Sequence, residues 1–187
     1  MHEDIDYIIF DEKQIQDRVR ELGRQITEDY QELLENSSDG QLLIAVCLLR
    51  GAVTFMADLM RAVDIPIEYD FISISSYGDA SRPGAVRLIR DLDRPIGGRN
   101  VLIVDDIIDT GNTLRYLCQS LLAREPSTIR KCILINKTPR RQVDMSIDYV
   151  GFTVEEDLFV VGYGMDYAEK YRNLPHIVAL KPGVITR

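Results

Sequence analysis

The chain has 187 residues, 28% of them charged and 45% hydrophobic, with a formal net charge of −8. That size suits one domain with a sizeable core, and no apolar run approaches the length of a membrane span. The acidic balance argues against general nucleic-acid binding, which wants a basic face, and means that an anionic ligand must be met by a local group of bases or by a metal.

Met1-His2-Glu3-Asp4 is acidic rather than a signal-peptide start, so a cytoplasmic location is expected. Residues Ile5 to Phe10 read as a short strand. Asp11 then stands at an N-cap with Gln14 three residues on, a capping-box pair. Ile15, Val19, Leu22, Ile26, Tyr30 and Leu33 follow at spacings of three and four, which predicts one long amphipathic helix. Asn36-Ser37-Ser38-Asp39-Gly40 stops it. Leu42 to Leu49 is a second apolar run, hence a buried strand, and it ends at Arg50-Gly51. A helical pattern restarts at once through Val53, Met56, Ala57, Met60 and Val63. By itself the Arg-Gly pair is a plain turn.

Ile67, Tyr69 and Phe71 alternate with Glu68 and Asp70, so the third strand has one wet face. Ser75 to Gly84 is dense in turn formers, and Val86 to Leu92 alternates again, which predicts a hairpin with a long tip. A loop of that length is either idle or a lid. Asp93 to Asn100 leads into Val101-Leu102-Ile103-Val104, apolar on both parities and therefore covered on both faces, as a central parallel strand is. The run ends on Asp105 and Asp106, with Asp109 and Thr110-Gly111-Asn112-Thr113 before a helix through Leu114, Leu117, Cys118, Leu121 and Leu122. A Gly-containing strand-to-helix turn gathers backbone N–H groups and a helix dipole, which suits a phosphate. Three acids beside a phosphate would repel it, unless they hold hydroxyls, a proton or a Mg²⁺ ion carried by the ligand. The plain alternative is an ordinary turn with an N-cap.

Lys131 to Ile135 is another buried strand, and Lys137 follows it. Ligands of such sheets gather beyond the carboxyl ends of the strands, which puts Lys137 in one crevice with Asp109; a surface cation is the alternative. Tyr149 to Phe152 opens the last segment, with Phe159 to Tyr167 and Tyr171 to Pro175 behind it. Cys47, Cys118 and Cys132 are widely spaced in apolar surroundings and read as buried thiols. With only His2 and His176, a histidine-based nucleophilic triad is disfavoured.

The stretch Val101 to Leu114 strongly resembles the phosphoribosyl-diphosphate (PRPP) motif of the type I phosphoribosyltransferases. Lys137-Thr138-Pro139-Arg140-Arg141, Phe159-Val160-Val161-Gly162-Tyr163-Gly164-Met165-Asp166-Tyr167 and Tyr171-Arg172-Asn173-Leu174-Pro175 are similar to segments of the hypoxanthine(-guanine) group. The resemblance covers nearly the whole chain. It implies an α/β fold: a parallel-sheet core of about five strands flanked by helices, in one domain spanning 1–187. A small hood from the N- and C-terminal segments and a mobile hairpin loop complete it.

The implied activity is Mg²⁺-dependent purine salvage. The 5-phosphoribosyl group passes from PRPP to hypoxanthine, and to guanine, giving IMP or GMP and pyrophosphate. By resemblance, Asp109 is the general base at the purine N7 and Lys137 donates to the 6-oxygen. Phe159 stacks on the base, and Val160 meets its edge through the backbone. Asp109 through Thr113, with Thr110, Gly111, Asn112 and Thr113, cradle the 5′-phosphate behind Ile107 and Ile108. Asp105 and Asp106 take the ribose hydroxyls or the Mg²⁺ shell, and Asp166 ligates the metal. Arg50, Gly51 and Arg172 bind pyrophosphate, and the Arg50-Gly51 loop is one where the family often has a cis peptide. Ser76 and Tyr77 belong to the closing loop, which keeps water from a ribosyl cation.

One departure is Asp105, where many members of the family have Glu; the shorter side chain withdraws its carboxylate by about a bond length, enough to disturb a contact tuned within roughly 0.5 Å. The resemblance implies a homodimer or homotetramer, with no nucleic-acid or membrane partner. Rival readings are a xanthine-preferring transferase, a PRPP synthetase, and a pyrimidine-responsive RNA-binding regulator on the same fold. The synthetase should be longer and carry an ATP site, and no Walker-type sequence is present.

Overall fold

The central sheet grows from strands that are apolar on both faces. The structure, a computed structural model, describes residues 3–35, 42–76 and 86–185. Strands β2 (Leu43–Leu49), β3 (Ile67–Ser76), β5 (Asn100–Ile108), β6 (Thr128–Lys137) and β7 (Tyr149–Val154) run parallel. With the antiparallel β4 (Val86–Arg90), they form a six-stranded sheet in the order β4-β3-β2-β5-β6-β7. Along β5 the side chains alternate between two cores. Leu102 and Val104 pack with helices α1 (Glu12–Glu35) and α2 (Val53–Ala62), while Val101 and Ile103 pack with α3 (Asn112–Leu122). Burial on both sides, at about 1.5–3 kcal/mol for each large aliphatic side chain, makes β5 the fixed centre of the molecule.

Helix α1 starts as its capping box requires. The Gln14 N–H donates to Asp11 Oδ1 at 2.8 Å, and the Asp11 N–H donates to Gln14 Oε1 at 2.9 Å. Ile15, Val19, Leu22, Ile26 and Tyr30 are buried, but Leu33 is 40% exposed, so the apolar stripe ends a turn before the helix does. In α2 the buried residues are Phe55, Met56 and Leu59, whereas Val53 and Ala57, expected on the inner face, point outward. The inner face is set by contact with α1 and the sheet, which periodicity alone placed one residue out of phase. The expected stop signal at Asn36 to Gly40 lies outside the described residues.

Two further differences bear on function. Strand β5 does not end at the carboxylates but runs on through Asp105 and Asp106, because Ile107 and Ile108 still pair with Ile135 and Asn136 of β6. A four-residue strand, β9 (Ile177–Leu180), went unread in the sequence. It is fully buried between β1 (Ile5–Phe10) and β8 (Val160–Val161) in an antiparallel sheet, order β1-β9-β8. This sheet joins the two terminal segments into the expected hood. Its link to the main sheet includes a Phe10–Phe152 ring stack at 4.0 Å and a hydrogen bond from Tyr163 to Asp58 of α2. Cys47 and Cys132 are buried, Cys118 is half-buried, and all three are free thiols. Burial pushes the Cys47 thiol up to about 12, so it is protonated and inert.

Candidate active site

Beyond the carboxyl ends of β5 and β6, two cavities adjoin. The smaller, about 130 Å³, is walled by Ile108, Asp109, Thr110, Gly111 and Thr113, with Asp105 behind them. Gly111 has φ +86°, a backbone conformation that a side chain would strain, and a Cβ there would stand 3.1 Å from Val143 Cβ. It caps α3 with no side-chain hydrogen bond of its own, while the first amide of the helix, the Asn112 N–H, donates to Thr110 Oγ1 at 3.4 Å. Asn112 turns its side chain away, its Nδ2 donating to Gln142 Oε1 at 3.0 Å.

The larger cavity, about 400 Å³, lies in the range of small-molecule sites. Expected residues Asp106, Ile107, Asp109, Lys137, Phe159, Val160 and Asp166 line it, together with Arg140, Asp157, Leu158, Met165 and Ile185, which sequence reasoning did not assign. Lys137 is 5% exposed at the end of β6, with its Nζ 3.7 Å from Asp109 and 3.8 Å from Asp157. Charge-assisted hydrogen bonds run to about 2.7–2.9 Å, so neither carboxylate has captured the ammonium. Arg140 holds Asp157 instead, at 2.8 Å, and their hydrogen bond lowers the Asp157 pKa. Asp109 Oδ1 is buried with no partner of its own. Phe159 is 37% exposed and meets the Tyr167 ring edge-on at 5.2 Å, leaving a ring available for stacking.

Asp105 and Asp106 sit side by side, Asp106 at the larger cavity and Asp105 at the smaller. Burial, then the neighbouring Asp106 charge, pushes the Asp105 pKa well above the carboxylate range; burial also raises Asp106. Gly51 lies directly against Asp106: a Cβ there would be 1.7 Å from Asp106 Oδ2. The peptide between Leu49 and Arg50 is cis. Arg50 and Arg172 both reach Glu169, at 2.5 and 3.4 Å, and Arg172 also pairs with Asp166 at 2.8 Å. Glu169, which no sequence motif singled out, is the carboxylate that the two arginines share.

Among the described residues no three His, Cys, Asp or Glu side chains cluster as a metal cage. Asp106 and Asp166 line one cavity and Asp105 the other. That donor set fits Mg²⁺, which keeps several waters and takes one or two carboxylates plus ligand phosphates. Ser76 closes β3 by pairing with Val86, while Tyr77 lies outside the described residues.

A mostly parallel sheet with a glycine-containing turn after its central strand and a cavity beside a terminal hood defines a class. A family described as "Phosphoribosyl transferase domain" matches residues 8–168, and the chain belongs to that family. It is similar to hypoxanthine-guanine phosphoribosyltransferases of Mycobacterium tuberculosis (46% identical, covering 97% of this chain and 89% of the relative) and Bacillus subtilis (44%, covering 98% of each). A crystal structure of a hypoxanthine phosphoribosyltransferase from Staphylococcus aureus matches with a TM-score of 0.89 at 39% identity, covering 100% of this chain and 97% of that one. Within the family the chain falls in the hypoxanthine-guanine group, and it is a transferase.

Proposed function

We propose that this enzyme serves purine salvage by transferring the 5-phosphoribosyl group of PRPP to hypoxanthine or guanine, with IMP or GMP and pyrophosphate as products. The observation that carries the reading is that Ile107 and Asp109 line both cavities. A ligand with a phosphate in the smaller and a base in the larger has its base–sugar junction beside Asp109.

The chemistry follows from that placement. As the bond to pyrophosphate breaks, the ribose gains cationic character and the leaving group gains negative charge. A site complementary to that state needs carboxylates near the sugar and cations near the leaving group. Asp105 and Asp106 face the ribose, while Arg50, the Gly51 amide and Arg172 receive pyrophosphate. Asp166, with Asp106 and Asp105, would hold a Mg²⁺ ion, which would supply positive charge against the pyrophosphate. Asp109 accepts the purine N7 proton, an assignment in keeping with its unpartnered buried oxygen. Lys137 donates to the 6-oxygen. An ammonium offers donors only, so it accepts a 6-oxo group and refuses the 6-amino group of adenine. Phe159 stacks on the ring, and Val160 meets the edge.

The three free cysteines are in keeping with the reducing cytoplasm, and we take the chain as one domain. The test is an assay panel of hypoxanthine, guanine, xanthine and adenine with PRPP and Mg²⁺. Turnover of the first two and rejection of adenine is expected. Fastest turnover of xanthine selects the xanthine-preferring alternative, and no turnover of any base overturns the reading.

A further inference from the structure

Arg141 lines neither cavity, yet its guanidinium binds four acceptors. Its Nε donates to the carbonyl of Asp109 at 2.9 Å. Its Nη2 reaches the carbonyls of Ile108 at 3.2 Å and Lys137 at 2.9 Å, and Asn136 Oδ1 at 2.6 Å. The next two residues continue the pattern: the Gln142 and Val143 N–H groups donate to the Thr110 carbonyl at 3.0 and 3.2 Å. Among the described residues no carboxylate forms an ion pair with Arg141, so its charge is spent on carbonyl dipoles alone.

Three successive carbonyls, 108, 109 and 110, are thus held toward the 141–143 segment. In a trans peptide the C=O and the following N–H point in opposite directions. The same bonds therefore turn the N–H groups of Asp109, Thr110 and Gly111 away from that segment. Those residues wall the smaller cavity, and successive N–H groups turned into a concavity make an anion nest. The fourth bond, to the Lys137 carbonyl, fixes the end of β6 against the same turn.

We infer that Arg141 is a positioning residue: it orients the amide nest for the 5′-phosphate and sets its distance from Lys137. This rests on the phosphoribosyltransferase reading above. The test compares binding of IMP and of inosine, which differ by the 5′-phosphate, in wild type, Arg141→Ala and Arg141→Lys. Wild type that binds both equally sinks the functional reading, whatever Arg141 does. Given a wild-type preference for IMP, Arg141→Ala lowers IMP affinity by about tenfold or more while inosine affinity moves less than threefold. Arg141→Lys, which keeps the charge but not the fork, behaves like Arg141→Ala. Millimolar guanidinium restores part of the IMP affinity of Arg141→Ala. Equal losses for both ligands, an unchanged preference, or a loss that guanidinium does not relieve overturns the inference. So does failure of both variants to fold, which would make Arg141 a folding support.

Discussion

Replacing Gly51 by Ala is the sharpest perturbation of the acid pair. The added Cβ would stand 1.7 Å from Asp106 Oδ2 and 2.7 Å from its Cγ, where ordinary contact begins at 3.4 Å. The Asp106 carboxylate, buried against Asp105, must therefore retreat by about 1.7 Å. Productive geometry tolerates about 0.5 Å, and a misplacement of about 1 Å can cost on the order of 10²-fold in rate. Gly51→Ala should accordingly lower kcat/KM for PRPP by about 10²-fold, or about 2.7 kcal/mol of transition-state stabilisation. Gly51 is not held in the left-handed region, so the substitution carries no backbone strain, and the melting temperature should move by only a few degrees. Steady-state kinetics on Gly51→Ala, Asp106→Ala and the double variant form the assay. If the effect passes through Asp106, the two losses are far from additive. Activity within threefold of wild type, or strict additivity, refutes the reasoning.

Lys137→Ala removes a charge-assisted hydrogen bond of about 1.5–3 kcal/mol, so kcat/KM for hypoxanthine should fall roughly 10- to 150-fold while the Kd for PRPP holds within threefold. Equal losses in both would take Lys137 out of the base pocket. Asp166→Asn should raise the Mg²⁺ concentration for half-maximal activity by about tenfold; an unchanged Mg²⁺ titration moves the metal elsewhere. Asp105→Asn is read from metal-free stability against pH. The folded state holds the Asp105 proton above about pH 3.9, where the unfolded chain has lost it, so wild-type stability falls as pH climbs through the raised folded value. Denaturant melts should show that decline weakened in Asp105→Asn, with the variant the more stable at neutral pH. A decline of unaltered slope would place the titration in another group.

Asp105 and Lys137 were legible because they lie toward the carboxyl ends of strands whose character is local. Val101 to Val104 announces a doubly covered strand by apolar residues on both parities, and Lys137 follows from the position of the next such run. The Asp11–Gln14 cap was legible for the same reason, since its partners are three residues apart. The strand β9 carried a signal that was available, four consecutive apolar residues, but its pairing with β1, near the opposite end of the chain, is non-local. Asp157, Met165 and Ile185 enter the base cavity only once the hood is folded over the sheet. Arg140 reaches Asp157 across 17 residues, and no periodicity encodes that contact. Where β5 stops was misjudged because carboxylates look like strand breakers, while the ladder to Ile135 and Asn136 decides the matter.

Glu169 leaves a mark on how the site meets an anion. Arg50 and Arg172 do not wait as bare charges; the chain lends them a carboxylate of its own, 60% exposed. On the function proposed above, an arriving anion would displace that tethered partner into water instead of freeing dissolved salt ions from the two guanidinium groups. Its capture is then an exchange of one counter-charge for another, and added salt weakens it less steeply than it would at two unclaimed arginines.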